Sequence, residues 1–499
     1  MGHRFWSDTM SIRPNTPAVL SLLSAALLTT ACGADAAYYG ASDYGYEQVP
    51  VGEVYDEVGE NDFIDASEEN TSTFSIDVDT ASYTVMRRDV NASSLPAPDS
   101  VRPEEYINYF DYDYPQPVDE HPFSVNMEVA PSKFGEGMHL MRVGVKGMDI
   151  HTEDLRPTSL TFLIDVSGSM QSEQKLPLVK KSLYALIDNL RPSDTIGIVV
   201  YAGADGVVLE HTSVREEQKI KDAIERLGAG GSTNAEAGIV TAYKMAEAAK
   251  QEEGNNRVII LTDGDFNVGK TGDALFDVIE EYREKEISLT CMGYGLGNYN
   301  DYHMENLSNK GNGNYFYVDS IEEAERVFGT ELASTLEVIA ADVKIQVEFN
   351  QDAVAKYRLV GYENRVLDNE DFDDDTVDAG EIGPGHTVTA YYELELSEGV
   401  QDESLLSTVR LRYKSQYGAE SNLIERAIKL SQTSMTFEDA SDGFRFGAAV
   451  AEFAEILRDS MHVDDADLGL VQEVASDASS GSDKEVEFIG LVEKAKAMK

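Results

Sequence analysis

Between about Ser159 and Leu336, fully apolar segments alternate with amphipathic ones. SLTFLID (159–165) is a continuous apolar strand, and TIGIVVYA (195–202), GVVLE (206–210), RVIILTD (257–263), ISLTCMG (287–293) and NYFYVD (314–319) follow it. Leu176, Val179, Leu183, Leu186, Ile187 and Leu190 recur at helical spacing, and Pro192 closes that helix. Further helical segments are expected at 214–227, 234–250, 271–284, 301–308 and 321–338. This alternation predicts an α/β domain: a mostly parallel sheet covered by helices on both faces. Outside it the period changes to two. Phe123, Val125, Met127 and Val129 alternate with polar residues, as do Val343, Ile345, Val347 and Phe349. The same holds for Val388, Ala390, Tyr392, Leu394 and Leu396, and for Val409, Leu411 and Tyr413. Such runs predict half-buried antiparallel strands on both sides of the α/β region. The expectation is one β-sandwich into which that region is inserted. Phe446, Ala449, Val450, Phe453, Ile456 and Leu457, then Val486, Ile489, Leu491 and Val492, mark helices of a C-terminal region, read as core packing.

In sheets of this kind ligands bind beyond the carboxyl ends of the strands. Asp165-Val166-Ser167-Gly168-Ser169 follows the first strand, Thr233 stands in the loop GAGGSTN, and Asp263 follows RVIILT. One D-x-S-x-S turn places a carboxylate and two hydroxyls on the same side of a tight loop, and neighbouring loops add another of each. All five are hard oxygen donors, which suits Mg²⁺ or Mn²⁺ (Ca²⁺ is the further option) and does not suit zinc. Turn-forming and capping roles for these serines and aspartates are the bland alternative.

Asp165, Ser167, Ser169, Thr233 and Asp263, with G-G-S-T-N and a strand ending in T-D-G, resemble a von Willebrand factor type A (VWA) domain with a metal-ion-dependent adhesion site. The resemblance implies a Rossmann-like fold. It also implies direct coordination by Ser167, Ser169 and Thr233, with the two aspartates bound directly or through water. FSIDVDTASYTVMRR (74–88), VRPEEYINYFDYDYP (101–115) and TDGDFNVG (262–269) further resemble the bacterial VWA lipoproteins of the YfbK type, over roughly residues 70–499. The function implied is cation-dependent binding of a protein ligand whose Asp or Glu carboxylate completes the metal shell. The last VWA helix (321–338) would lead any shift on ligation into the strand at 343.

Arg4 and Arg13 precede an apolar run, Ala18–Leu28, with the size of a signal-peptide core and too short to span a bilayer. Thr29-Thr30-Ala31-Cys32-Gly33 resembles a bacterial lipobox, with Thr29 in the usual leucine position, and implies lipidation of Cys32. An ordinary cleaved signal is the alternative. No Lys or Arg occurs between Cys32 and Met86, so residues 33–70 read as a solvated acidic tether. The organisation expected is a signal peptide (1–31), a tether (32–70), an N-terminal VWA-associated region (71–157), the VWA domain (158–338), sandwich strands (339–435) and a helical region (436–499). The place expected is the bacterial cell envelope, at the outer membrane or cell surface, with lipid as the only membrane attachment.

Composition narrows the function. With 91 Asp+Glu against 40 Lys+Arg, the net charge of −51 argues against nucleic acid, which needs clustered cations. Two cysteines exclude a disulfide scaffold, and Cys291 in its apolar strand reads as an inert buried thiol. The acidic block Asp368–Glu381 reads as an exposed loop, with calcium as the alternative, although it lacks EF-hand spacing. No H-E-x-x-H, G-x-S-x-G or Walker loop is present, so the chain is not expected to be an enzyme. A phosphotransferase is the remote alternative. It would use an aspartate nucleophile with an acid two residues on; at Asp165 that position is Ser167, and Asp77 and Asp79 read instead as caps of a helix at 81–88. Gly293, Gly295 and Gly297 read as a surface turn. The rival to a binding module is a scaffolding lipoprotein whose metal only stabilises loops.

Overall fold

The structure is a computed structural model and describes residues 53–55, 59–151, 154–201, 206–231, 235–264, 272–296, 299–415, 419–463 and 465–499. The expected signal peptide, Cys32, residues 32–52 and 56–58 of the tether, and Thr233 lie outside these residues; the described end of the tether is folded rather than solvated, since Ile64 and Asp65 pair with Tyr357 and Lys356 and Ala66 is buried.

Four strands precede the α/β region: β1 (Ile64–Asp65), β2 (Thr71–Ser75), β3 (Phe123–Pro131) and β4 (His139–Gly147). The α/β region contributes β5 (Thr158–Asp165), β6 (Thr195–Tyr201), β7 (Gly206–Ser213), β8 (Asn255–Thr262), β9 (Ser288–Tyr294) and β10 (Tyr315–Val318). They form one sheet in the order β10-β9-β8-β5-β6-β7, parallel except for β7, which runs antiparallel to β6. The chain-order reversal at β5 and β8 opens a crevice at their carboxyl ends, where Asp165 and Asp263 stand. Both faces of the sheet are covered. Leu160, Phe162 and Ile164 pack with Val179, Leu183 and Leu186 on one side, and Leu163, Val199 and Ile260 with Ile239 and Tyr243 on the other.

Six strands follow: β11 (Ala340–Phe349), β12 (Val354–Val360), β13 (Gly380–Ile382), β14 (Thr387–Leu396), β15 (Leu405–Lys414) and β16 (Ser421–Lys429). They pair with the four early strands. One antiparallel sheet runs β1-β12-β14-β4-β3, and β14 registers with β4 from Thr387↔Lys146 to Leu394↔His139. In the other, β2 and β13 pair with β11, which continues through β15 to β16. The segments 123–129 and 343–349 therefore lie in different sheets, and they share one core containing Phe123, Val129, Val343, Val347 and Phe349.

Helix α1 (Ala81–Asn91) ties these layers together. Ala81 and Val85 pack on the α/β region, while Tyr83, Met86 and Val90 enter a second core with the C-terminal helices 442–457, 468–478 and 483–498. Arg87 pairs with Asp319 at 2.6 Å and Glu323 at 2.9 Å, and its side chain is 7% exposed. Behind it, α2 (Pro103–Ile107) meets α3 (Asp301–Lys310) through buried charge. Arg102 bonds Asp301 at 2.6 Å and also Glu105, and Arg365 bonds Asp77 at 3.1 Å and Asp79 at 3.5 Å.

Several expectations change here. Asp77 and Asp79 do not cap α1: its N-cap is Thr80, and the two carboxylates accept from Arg365 while Asp79 also accepts from Tyr315 N–H. The helix expected over 321–338 is broken into Ile321–Glu325, a π turn at Arg326–Thr330 and Leu332–Leu336. The wider turn lets buried Arg326 reach Glu323 and Glu331 on either side of it. The acidic block is not a plain solvated loop. It contains a 3₁₀ turn (Asn369–Phe372) and β13, Arg412 pairs with Asp373 and Asp375 at 3.1 and 3.0 Å, and Lys344 donates to the Asp371 and Asp374 carbonyls.

Burial pushes the Glu104 carboxyl up to about 8, and nearby Glu363, Asp77 and Glu105 add to the effect. The folded state therefore holds a proton there that the unfolded chain releases near its ordinary carboxyl range. The stability this gives is complete below that range and is lost as pH rises toward about 8. Glu104→Gln keeps an acceptor for the Tyr362 N–H, bonded at 3.0 Å. Thermal melts at pH 5 and 8.5 should show the variant losing less melting temperature on the alkaline side than wild type, by about a few degrees.

Candidate metal centre

Asp165 ends β5 with no solvent exposure. Its Oδ1 accepts the Ser167 N–H at 2.7 Å, which closes the D-x-S turn, and its Oδ2 accepts the Thr262 hydroxyl at 3.3 Å. Burial raises its pKa to about 6; the bonds from Ser167 oppose the rise and the Asp263 charge reinforces it. Ser167 and Ser169 bring their Oγ atoms within 2.9 Å of each other, with Ser167 buried and Ser169 exposed. Asp263, just past β8, is 1% exposed, and its Oδ2 accepts from Lys175 Nζ at 2.8 Å. Gly230 N–H donates to Val166 O at 2.7 Å, and Gly168 N–H donates to Gly231 O at 3.4 Å. These bonds hold the glycine loop that leads to Thr233 against the D-x-S turn.

Four of the five expected ligands thus lie at two neighbouring strand ends, and the fifth lies outside the described residues. The donor set fits a small hard cation. Two hydroxyl oxygens converge beside two buried carboxylates, with neither nitrogen nor sulfur among the expected ligands. Asp165, Ser167, Ser169 and Asp263 are the groups that would hold it. Among the described residues, those of this site included, no group of three or more His, Cys, Asp or Glu has an arrangement that could hold a metal, so the hydroxyls of Ser167 and Ser169 are needed to make up the donor set.

The GYG segment is not a surface turn. Gly293 lies buried within β9, where a Cβ would fall 2.3–2.7 Å from the Tyr299 ring. Gly295 has φ +79°, and a Cβ there would meet the stem of Lys175 at 2.4 Å. Tyr299 in turn packs against Gly264, the residue after Asp263, which has φ +87° and where a Cβ would fall 2.7 Å from Asn300 N and 2.8 Å from Tyr299 Cα. On the far side of that contact Val54 pairs with Asn300, its N–H donating to Tyr299 O at 2.9 Å and its carbonyl accepting from Asp301 N–H at 3.1 Å.

Residues 159–330 match the von Willebrand factor type A domain, and residues 334–498 match the C-terminal region of the uncharacterised protein YfbK. Residues 50–142 match a second family described as von Willebrand factor. Over 470 residues the chain is 36% identical to the uncharacterised protein YfbK of Escherichia coli K12, covering 88% of this chain and 80% of that one. The chain belongs to the YfbK family. Human inter-alpha-trypsin inhibitor heavy chain H3 is similar at 26% identity over 191 residues, which is 36% of this chain and 21% of that protein. A solved von Willebrand factor type A protein from Catenulispora acidiphila superimposes with a TM-score of 0.43 at 17% identity, covering 74% of this chain and 88% of that chain.

Within this family architecture, the residue that sequence reasoning missed is Lys175. It stands in QSEQK, a polar stretch that reads as solvated, and only the fold brings its ammonium to Asp263. Thr262 ends its strand with no mark of a role in the pattern, yet its hydroxyl donates to Asp165 Oδ2 at 3.3 Å.

Gly264→Ala tests the loop geometry. Its Cβ would lie 2.7 Å from Asn300 N at a left-handed φ, so the variant should lose at least about 1–2 kcal/mol in thermal or urea unfolding. Unchanged stability would mean that Gly264 is not held against Asn300.

Proposed function

We propose that this chain is an envelope-anchored protein-binding module whose VWA domain takes a divalent cation and, through it, an acidic side chain of a partner. VWA relatives are in general interaction modules rather than enzymes. The observation that carries the reading is the gathering of Asp165, Ser167, Ser169 and Asp263 at the carboxyl ends of β5 and β8. A cation held there by hydroxyls and carboxylates would keep a coordination position for an outside oxygen. The bound metal would supply positive charge for a partner Asp or Glu. The chain's own part is to hold the donors: Ser167 N–H and Thr262 fix the Asp165 carboxylate, and the 230–231 bonds fix the turn. Lipidation at Cys32 would tether the body to the outer membrane or cell surface through the acidic segment, with Mg²⁺ as the ordinary cation.

A scaffolding lipoprotein is the second reading, and the buried ion pairs Arg87–Asp319, Arg102–Asp301, Arg358–Glu393 and Arg365–Asp77 that tie the flanks together and to the α/β region favour it. The two differ in whether the metal is needed for the partner.

Asp165→Ala should abolish Mg²⁺ binding in calorimetry while circular dichroism stays native. Removing the acceptor of Ser167 N–H costs about 1–3 kcal/mol in stability. Unchanged Mg²⁺ affinity would exclude the site. In a pull-down from envelope extract, EDTA should release the captured protein, whereas a partner retained in EDTA would support the scaffold.

A further inference from the structure

The family resemblance assigns five oxygen ligands and no cation of the protein's own, yet one is present. Lys175 Nζ lies 2.8 Å from Asp263 Oδ2, and the two side chains are 9% and 0% exposed. We propose that Lys175 is a built-in counter-cation: it neutralises Asp263 when the site is metal-free, and it competes with a divalent ion for that carboxylate. The inference rests on the metal-binding reading above and goes beyond it by naming the residue that sets how tightly the ion is held.

Three features of the fold place the ammonium there. The Lys175 backbone is fixed on both sides, its N–H donating to Ser172 O at 3.0 Å and its carbonyl accepting from Val179 N–H at 2.9 Å, at the start of the helix Leu176–Asn189. Its stem lies against Gly295, where any side chain would displace it: a Cβ would fall 2.4 Å from both Lys175 Cγ and Cε. The Gly295 carbonyl is itself held by the Tyr317 hydroxyl, which also accepts from Arg88 at 3.1 Å. The lysine stem is therefore held against Gly295, with its ammonium at Asp263.

The charge count gives the consequence. Asp165 and Asp263 together carry two negative charges when ionised, and Lys175 brings the metal-free site to −1. A divalent ion would bring it to +1 with two cations near one carboxylate, a repulsion that weakens binding. The same lysine lowers the cost of burying the Asp263 carboxylate. The site is thus expected to stay folded in chelator and to take metal with moderated affinity, so that occupancy can follow the surrounding ion concentration.

Full-length wild-type protein, Lys175→Met and Lys175→Gln are titrated with Mn²⁺ by calorimetry and melted in EDTA and in Mn²⁺. The neutral variants should bind Mn²⁺ about 10–100-fold more tightly. Lys175→Met should also melt lower than wild type in EDTA and recover in Mn²⁺, because Asp263 then lacks the lysine ammonium until metal arrives. Lys175→Gln can still donate a hydrogen bond to Asp263, so it reports affinity even if the methionine variant fails to fold. Equal or weaker Mn²⁺ affinity in the folded variants would overturn the role of Lys175 and leave the metal site standing. No Mn²⁺ binding by any of the three folded proteins would overturn the metal reading, and this inference with it.

Discussion

Two buried carboxylates at adjacent strand ends set the terms for the rest of this site. Asp165 and Asp263 are 0% and 1% exposed, and like charges taken out of water are tolerated only beside hydrogen-bond donors and opposite charge. The surroundings answer that demand locally. Ser167 N–H and the Thr262 hydroxyl serve Asp165, and Lys175 serves Asp263. The glycines at 264, 293 and 295 follow from the same demand, since each lets a neighbouring chain come close enough to fix a donor or brace a loop. What remains is two buried acids beside two converging hydroxyls, the arrangement on which the proposed cation site rests.

The second constraint is the ionic junction that fixes the α/β region in the sandwich. Asp301 begins the helix directly after the Asn300 contact with Gly264, and Arg102 of the N-terminal flank bonds it at 2.6 Å. Arg365, just beyond β12, bonds Asp77 and Asp79 in the segment before α1. The backbone behind the Asp263 loop is therefore in contact with flanking regions on two sides, through Arg102 and through Val54. Breaking a buried pair by removing one partner commonly costs about 3–5 kcal/mol, because the other charge is left uncompensated, so each member of this junction depends on the other being in place. The π turn at 326–330 and the ion pairs of Arg326 add a further rigid contact, in place of the single helix expected there.

The α/β region was legible because both of its periodicities are strong: fully apolar strands and 3.6-residue helices leave little freedom of assignment. The convergence of the four described candidate residues was legible because they follow strands whose ends lie side by side in a parallel sheet. The lysine was not, since a cation in QSEQK looks like any solvated residue until the loop after β9 folds over it. Asp77 and Asp79 misled for a related reason. Aspartates just before a helix are ordinarily caps, and only the return of Arg365 nearly 300 residues later draws them inward. Local pattern reads local structure; long-range charge pairing leaves no period in the chain.

The most direct test of the cation site is an anomalous diffraction map of crystals of this protein grown with Mn²⁺. The account predicts one strong peak within bonding distance of the Ser167 and Ser169 hydroxyls, beside Asp165 and Asp263. A well-ordered loop with no peak there, at a Mn²⁺ concentration that saturates binding in solution, would contradict it.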